Sequence, residues 1–177
     1  MLQLPTNPVV AIVGATGAVG REMIAILEQR RFPLGSLRLF ASPRSRGTRI
    51  AFRANDIVLE DLAHGAVPEG IDLALFSAGK GISTEWCPKF RDAGALVIDN
   101  SSAFRADPAC PLVVPEVNPH ALEAIGGPAI IANPNCSTII ALVALTPLHR
   151  AIGIERMVVA TYQAASGAGA AAMEELE

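Results

Sequence analysis

Apolar side chains in this sequence come mostly in short unbroken runs, and the runs recur at intervals long enough to hold a helix between them. The first spans residues 9–13, a continuous apolar and β-branched stretch that stops at Gly14. Such a run predicts a strand buried on both faces, as in a parallel sheet. Behind it the period changes. Over residues 18–30, Val19, Met23, Ile26 and Leu27 recur at helical spacing, and Phe32-Pro33 closes the segment, so a helix is predicted directly after the glycines. Further runs at 37–41, 71–77, 95–99 and 129–132 predict strands joined by crossovers. This alternation predicts an α/β fold with a doubly wound, Rossmann-type, mostly parallel sheet over residues 1–133, whose ligands sit at the carboxyl ends of the strands.

A second unit is predicted from residue 134, where Pro134 precedes a helix over about 136–150 and then a strand over about 154–163. Residues 168–177 read as the opening of a helix with no glycine, proline or basic last turn to stop it, so the sequence is expected to continue past Glu177.

Composition narrows the function classes. With 51% hydrophobic and 18% charged residues among 177, the chain can bury a core, and a disordered or collagen-like protein is excluded. Fourteen basic against 17 acidic side chains, a net charge of −3, give no electrostatic footprint for nucleic acid or an anionic membrane. The apolar run at 139–145 is far too short to cross a bilayer, and no basic n-region opens the chain. A cytoplasmic protein with no membrane or nucleic-acid partner is expected. Cys87, Cys110 and Cys136 form an odd set without CxxC spacing, which suggests neither a disulfide framework nor a metal site.

Five clusters carry candidate chemistry. Gly14-Ala-Thr-Gly17-Ala-Val-Gly20 sits between the first strand and its helix. Glycines there permit a tight turn and close approach to a pyrophosphate, while the helix N-terminus offers unpaired N–H groups and a positive dipole end. The motif departs from GxGxxG in carrying Thr16 at the second glycine position, so its context carries the reading. Gly14, Thr16, Gly17, Ala18 and Val19 are the candidate phosphate-side contacts. A NAD-binding fold would place an acidic residue after the second strand; here Ser42, Pro43, Arg44, Ser45 and Arg46 follow instead. Their hydroxyl and guanidinium donors suit an adenosine 2′-phosphate, which favours NADP over NAD.

The third cluster is Asn133-Pro134-Asn135-Cys136-Ser137-Thr138 at the start of the apolar helix. Aligned peptide dipoles at a helix N-terminus stabilise negative charge, Asn135 is a suitable cap, and the first-turn N–H groups can hold an oxyanion. Cys136 is therefore the candidate nucleophile, whereas Cys87 beside Trp86 and Cys110 near prolines read as small core hydrophobes. The fourth, Asp99 to Arg105, follows a buried strand, and Arg105 is suited to a phosphate or carboxylate with Asn100 and the serines in support. Asn135 joins Asn100 and Arg105 as a candidate substrate or phosphate ligand. The fifth, 161–169, places glycines where a cofactor can approach. His149 lies thirteen residues past Cys136 on one predicted helix, roughly 20 Å along its axis, so it cannot serve the sulfur as a base. His64 and His120 read as surface or capping residues.

VAIVGATGAVG (10–20), SPRS (42–45), FSAG (76–79), DNSSAFR (99–105), PEVN (115–118), NPNCST (133–138) and TYQAASGAG (161–169), in this order, resemble the aspartate-semialdehyde dehydrogenase family. The resemblance implies an oxidoreductase of amino-acid biosynthesis, on the route to lysine, methionine and threonine. Its reaction is the reversible NADPH-dependent reduction of L-aspartyl 4-phosphate to L-aspartate 4-semialdehyde through a cysteine thioester. It also implies that Cys136 is the nucleophile, that Gln163 positions the substrate, that Arg105 holds the substrate phosphate, that Thr16 to Val19 border the cofactor phosphates, that Arg44 and Ser45 face the adenosine 2′-phosphate, and that Ser166 and Gly167 approach the nicotinamide. Residues 134–177 are then the beginning of a catalytic and dimerisation domain, through which a homodimer or homotetramer forms. The family's acid/base histidine has no counterpart within these 177 residues, so the chain alone is expected to be inactive. A sibling reductase of N-acetylglutamyl-phosphate type and an inactive NADP-binding module are the alternatives.

Overall fold

The computed structural model describes residues 4–62, 67–168, 172–173 and 175. Its centre is a seven-stranded sheet. In chain order the elements are β1 (Val9–Val13), α1 (Ala18–Gln29), β2 (Ser36–Ala41), β3 (Arg49–Phe52), β4 (Asn55–Asp61), β5 (Leu73–Phe76), α2 (Lys80–Asp92), β6 (Leu96–Asp99), β7 (Ile130–Ala132) and α3 (Cys136–Ile152). The spatial order is β3-β4-β2-β1-β5-β6-β7. All pairings are parallel except the β3–β4 hairpin. β1 lies between β2 and β5, so the chain reverses its direction of travel across the sheet there, and a cleft opens above their carboxyl ends.

The unbroken apolar run of β1 is explained by burial on both sides. Val10 and Ile12 face the layer formed with Ile24 and Leu27 of α1. Ala11 and Val13 face the opposite layer, with Trp86, Cys87 and Phe90 of α2. α1 buries Gly20, Ile24 and Leu27, and α2 buries Ser83, Trp86, Cys87 and Phe90, each a stripe at three- and four-residue spacing. Phe40, Phe76 and Phe90 meet edge to face, with centroids 6.1 and 5.1 Å apart. Arg38 stands between the core positions of β2 and donates from Nε and one Nη to the two carboxylate oxygens of Glu60 of β4, at 2.9 and 2.6 Å. That bond holds the guanidinium above its ordinary pKa.

The strands predicted at 9–13, 37–41, 71–77, 95–99 and 129–132 and the helices at 18–30 and 136–150 all form, within two residues at most ends. The β3–β4 hairpin was not among them, because it lies outside the core runs and carries polar residues such as Arg49, Asn55 and Asp56. The strand predicted over 154–163 does not form: no regular structure is assigned there. A strand needs a neighbour to complete its hydrogen bonds, and this segment has none among the described residues. Val158 is 85% exposed and Tyr162 fully so. The helix predicted over 168–177 falls largely outside the described residues. No described helix is long and apolar enough to cross a membrane.

β7 is backed on its outer side by the returning chain: the Ala132 amide donates to the Pro111 carbonyl (2.9 Å), and the Val113 amide to the Ala132 carbonyl (3.1 Å).

Two glycines set how closely the chain folds on itself after β1. Gly14 has φ +92°, and a Cβ on it would stand 2.3 Å from the Ser77 carbonyl oxygen; one on Gly20 would stand 2.1 Å from the Gly14 oxygen. At Gly17 the nearest atom would be 3.4 Å away. Gly14→Ala and Gly20→Ala are therefore expected to lose on the order of 3 kcal/mol of stability in urea denaturation, and Gly17→Ala under about 1 kcal/mol. Equal losses at the three positions would contradict this account.

Candidate active site

The glycine turn is an anion cradle. The amides of Gly14 and Ala15 both donate to the Phe40 carbonyl, at 2.9 and 3.0 Å, and the Gly17 amide turns back to the Gly14 carbonyl at 3.1 Å. Gly17 is the N-cap of α1 and supplies no side chain to its first turn. The amides of Thr16, Ala18 and Val19 thus have no acceptor among the described residues, and Gly17, Ala18 and Val19 are exposed. Unpaired first-turn donors at the positive end of a helix suit a phosphate. The missing Cβ of Gly14 lets this turn close against the Ser77 carbonyl just after β5.

Beside it, β2 ends in a single 3-10 turn over Pro43–Ser45. Ser45 accepts the Thr48 hydroxyl through its carbonyl at 2.7 Å. Arg46 pairs at 3.3 Å with Asp61, whose side chain is 2% exposed. Arg44 is exposed and makes no hydrogen bond or ion pair among the described residues. An acidic residue that would accept a ribose hydroxyl is missing after β2, and a guanidinium stands there instead; these donors fit a 2′-phosphate.

On the other side of the cleft, Asp99 ends β6 fully buried. Its carboxylate accepts the Ser83 hydroxyl (2.7 Å), the Ser101 hydroxyl (2.7 Å) and the Ser101 amide (3.1 Å). Three donors make burial of this carboxylate tolerable and pin the loop that follows. Arg105, half-buried in that loop, donates from Nε to the Asn133 carbonyl at 2.9 Å and from one Nη to the Asn100 carbonyl at 3.1 Å. Asn133 Nδ2 donates to Asn100 Oδ1 at 2.7 Å. Arg105 therefore ties down its loop and still keeps three N–H donors for a ligand.

Cys136 is the first residue of α3 and is exposed. Asn135 caps the helix: its Oδ1 accepts the Ser137 amide at 3.0 Å, which leaves its side-chain NH₂ for a substrate. Cys87 and Cys110 are buried. Burial pushes both thiols up, with Asp99 adding to it at Cys87 and Asp107 at Cys110.

The carboxyl edge thus gathers Gly14 to Val19, Arg44 and Ser45, Asn100 and Arg105, and Asn135 with Cys136. It does not gather Gln163, Ser166 and Gly167. Gln163 is exposed and donates to the Thr161 hydroxyl at 3.0 Å, and Ser166 and Gly167 lie in a 3-10 turn over Ala165–Ala168 with only a local backbone bond. His149 accepts the Ile154 amide through Nδ1 at the far end of α3, and His120 sits in a 3-10 turn over Pro119–Leu122. His64 lies outside the described residues. Sequence reasoning missed Ser83 and Asn133. The signal for Ser83 was a hydroxyl within the apolar stripe of a helix; for Asn133 it was a second asparagine two residues before the cap. A depression of about 590 Å³ bordered by Asn7, Glu28, Arg31 and Arg53 lies at the amino end of the sheet, away from all these residues.

Comparison with known proteins bears on this site. The family described as "Semialdehyde dehydrogenase, NAD binding domain" matches residues 9–125, and "Semialdehyde dehydrogenase, dimerisation domain" matches residues 145–177. The chain is 54% identical over 168 residues to an aspartate-semialdehyde dehydrogenase of Aquifex aeolicus, covering 95% of this chain and 49% of that one. It is 51% identical over 174 residues to one of Synechocystis, covering 98% and 51%. A crystal structure of aspartate semialdehyde dehydrogenase II from Vibrio cholerae, complexed with ASA, superposes with a TM-score of 0.91 at 47% identity, over 97% of this chain and 51% of that one. The chain spans about half the length of the curated relatives it matches.

Exposure separates the three thiols. Iodoacetamide is expected to label Cys136 in the native chain and to reach Cys87 and Cys110 only after denaturation, as read by peptide mass mapping. Because folding raises the Cys87 and Cys110 thiols, their contribution to stability is intact below the ordinary thiol range and is lost as pH rises through it and beyond. Urea midpoints are expected to fall between about pH 8 and 10, and to fall less in Cys87→Ala.

Proposed function

This chain belongs to the semialdehyde dehydrogenase family, and on that premise we propose that it carries the cofactor-binding edge and the nucleophile of an NADP-dependent aspartate-semialdehyde dehydrogenase. Residues 1–133 are the cofactor half, and 134–177 begin the catalytic and dimerisation half, through which the whole protein forms a homodimer or homotetramer. We read the protein as cytoplasmic. Supporting the substrate assignment, relatives about half identical to this chain carry that enzyme's name.

The observation that carries this reading is the hydrogen-bonded link between the Arg105 loop and the segment that delivers Cys136. An acyl phosphate needs a soft nucleophile to displace phosphate and a cation to hold the departing anion. Cys136 sulfur attacks the 4-carbonyl carbon of L-aspartyl phosphate. The first-turn amides of α3 stabilise the resulting oxyanion, and the carbon–oxygen bond to phosphate breaks to leave a thioester on Cys136. Arg105, with Asn100 and the Asn135 amide, holds the released phosphate. The amides of Thr16, Ala18 and Val19 cradle the cofactor's pyrophosphate, with Gly17 bordering it, Arg44 and Ser45 take its 2′-phosphate, and Ser166 and Gly167 border the nicotinamide. When bound, NADPH supplies the hydride that reduces the thioester carbonyl. The reduced carbon's oxyanion re-forms the carbonyl as its bond to sulfur breaks, so Cys136 leaves as thiolate and the semialdehyde is released. Gln163 orients the reacting carboxyl carbon in this reading.

The test is phosphate-dependent NADPH formation from L-aspartate 4-semialdehyde by a polypeptide of the relatives' full length that includes these 177 residues. Turnover is expected and is abolished by Cys136→Ala. Arg44→Ala is expected to raise KM for NADP⁺ about tenfold or more while leaving that for NAD⁺ within about twofold. Absence of turnover, or an active Cys136→Ala, overturns the reading. NADPH is expected to bind the 177-residue chain itself, measured by fluorescence titration.

A further inference from the structure

The side chain of Asn133 belongs to neither the nucleophile nor the cofactor cradle, yet its backbone amide, backbone carbonyl and side-chain Nδ2 are all engaged by β6 and the loop that follows it. Its amide donates to the Asp99 carbonyl at 2.8 Å, its carbonyl accepts Arg105 Nε at 2.9 Å, and its Nδ2 donates to Asn100 Oδ1 at 2.7 Å. Arg105 closes the ring by donating to the Asn100 carbonyl at 3.1 Å. Asp99, at the root of that loop, is itself held by Ser83 and Ser101.

The ring fixes the plane of the guanidinium. Nε and one Nη make up one side of the fork, and both are spent on backbone carbonyls that belong to different loops. What remains is the end of the fork, where two nitrogens can grip two oxygens of one phosphate. The separation of those two carbonyls sets where the fork points; the Asn133 amide bond to Asp99 holds the two segments together, and the Asn133–Asn100 side-chain bond fixes how Asn100 lies against Asn133. Three residues further on stands Cys136, with buried Pro134 restricting the backbone between and Asn135 capping the helix. One residue therefore anchors both the anion-binding fork and the segment that ends in the sulfur.

We propose that Asn133 is a positioning residue that, through its side-chain bond to Asn100, aims the free end of the Arg105 fork at the substrate phosphate beside Cys136. The inference rests on the reading of Arg105 as the phosphate ligand. The test uses the full-length polypeptide in the phosphate-dependent direction, with Asn133→Ala, Asn100→Ala, the double variant and Arg105→Lys. Loss of one such bond is expected to raise KM for phosphate about fivefold in each single variant, with KM for NADP⁺ within about twofold of the parent. The double variant is expected to be no worse than Asn100→Ala, which already removes the shared bond together with Asn100's own contact to phosphate.

If Arg105→Lys raises KM for phosphate but neither asparagine variant does, the positioning role is wrong and the functional reading stands. If Arg105→Lys leaves KM for phosphate unchanged, the phosphate assignment fails and takes this inference with it. Effects of the two asparagine variants that multiply, or a parallel rise in KM for NADP⁺, also overturn the proposal, as does loss of folding in both single variants, since a bond needed for folding is not a positioning device.

Discussion

Backbone meets backbone at the centre of the sheet's carboxyl edge, where Gly14 lies so near the Ser77 carbonyl that no side-chain carbon fits between them. The loops along that edge take their places from this contact. It joins the turns after the two central strands, β1 and β5, at the point where the chain changes direction across the sheet. To one side the strand order leads to Arg44; to the other it leads through β6 and β7 to Arg105 and Cys136. With strands about 4.8 Å apart, the four steps from β2 to β7 separate the ends of the site by about 19 Å. Such a line is long enough for an elongated ligand such as a dinucleotide, with room for a second, small ligand at the Arg105 and Cys136 end.

Rigidity on the nucleophile side comes from a different source. There the floor is the buried carboxylate of Asp99, satisfied by three donors from α2 and from its own loop. A charge at that depth is tolerated only with its partners in place, so the loop above it has one low-energy arrangement. The cofactor side is thus shaped by the absence of atoms and the nucleophile side by a saturated polar network.

The sequence made the central fold plain because its strands are buried on both faces and so carry no polar interruption: Val10 and Ile12 serve one layer, Ala11 and Val13 the other. The hairpin of β3 and β4 was illegible for the opposite reason, being half-exposed at an edge where polar residues are harmless. Extended structure at 154–163 was over-read, since β-branched residues such as Val158 and Val159 favour a strand only when a neighbouring strand receives them. The site residues on the sheet edge were legible by type and position. The ring around Asn133 was not, because bonds between loops 28 and 33 residues apart in sequence leave no local pattern.

The returning strap of residues 111–113 has one more effect. A sheet that stops in mid-air offers its last row of amides and carbonyls to any other extended chain, which is the commonest route to fibrils. Here the outward amide and carbonyl of Ala132 on β7 are already taken by Pro111 and Val113, and the opposite margin is β3, four residues long and opened by exposed Arg49. Lateral growth of one copy's sheet into another's is therefore discouraged on both flanks, and a folding chain that has seated its strap is guarded against polymerisation.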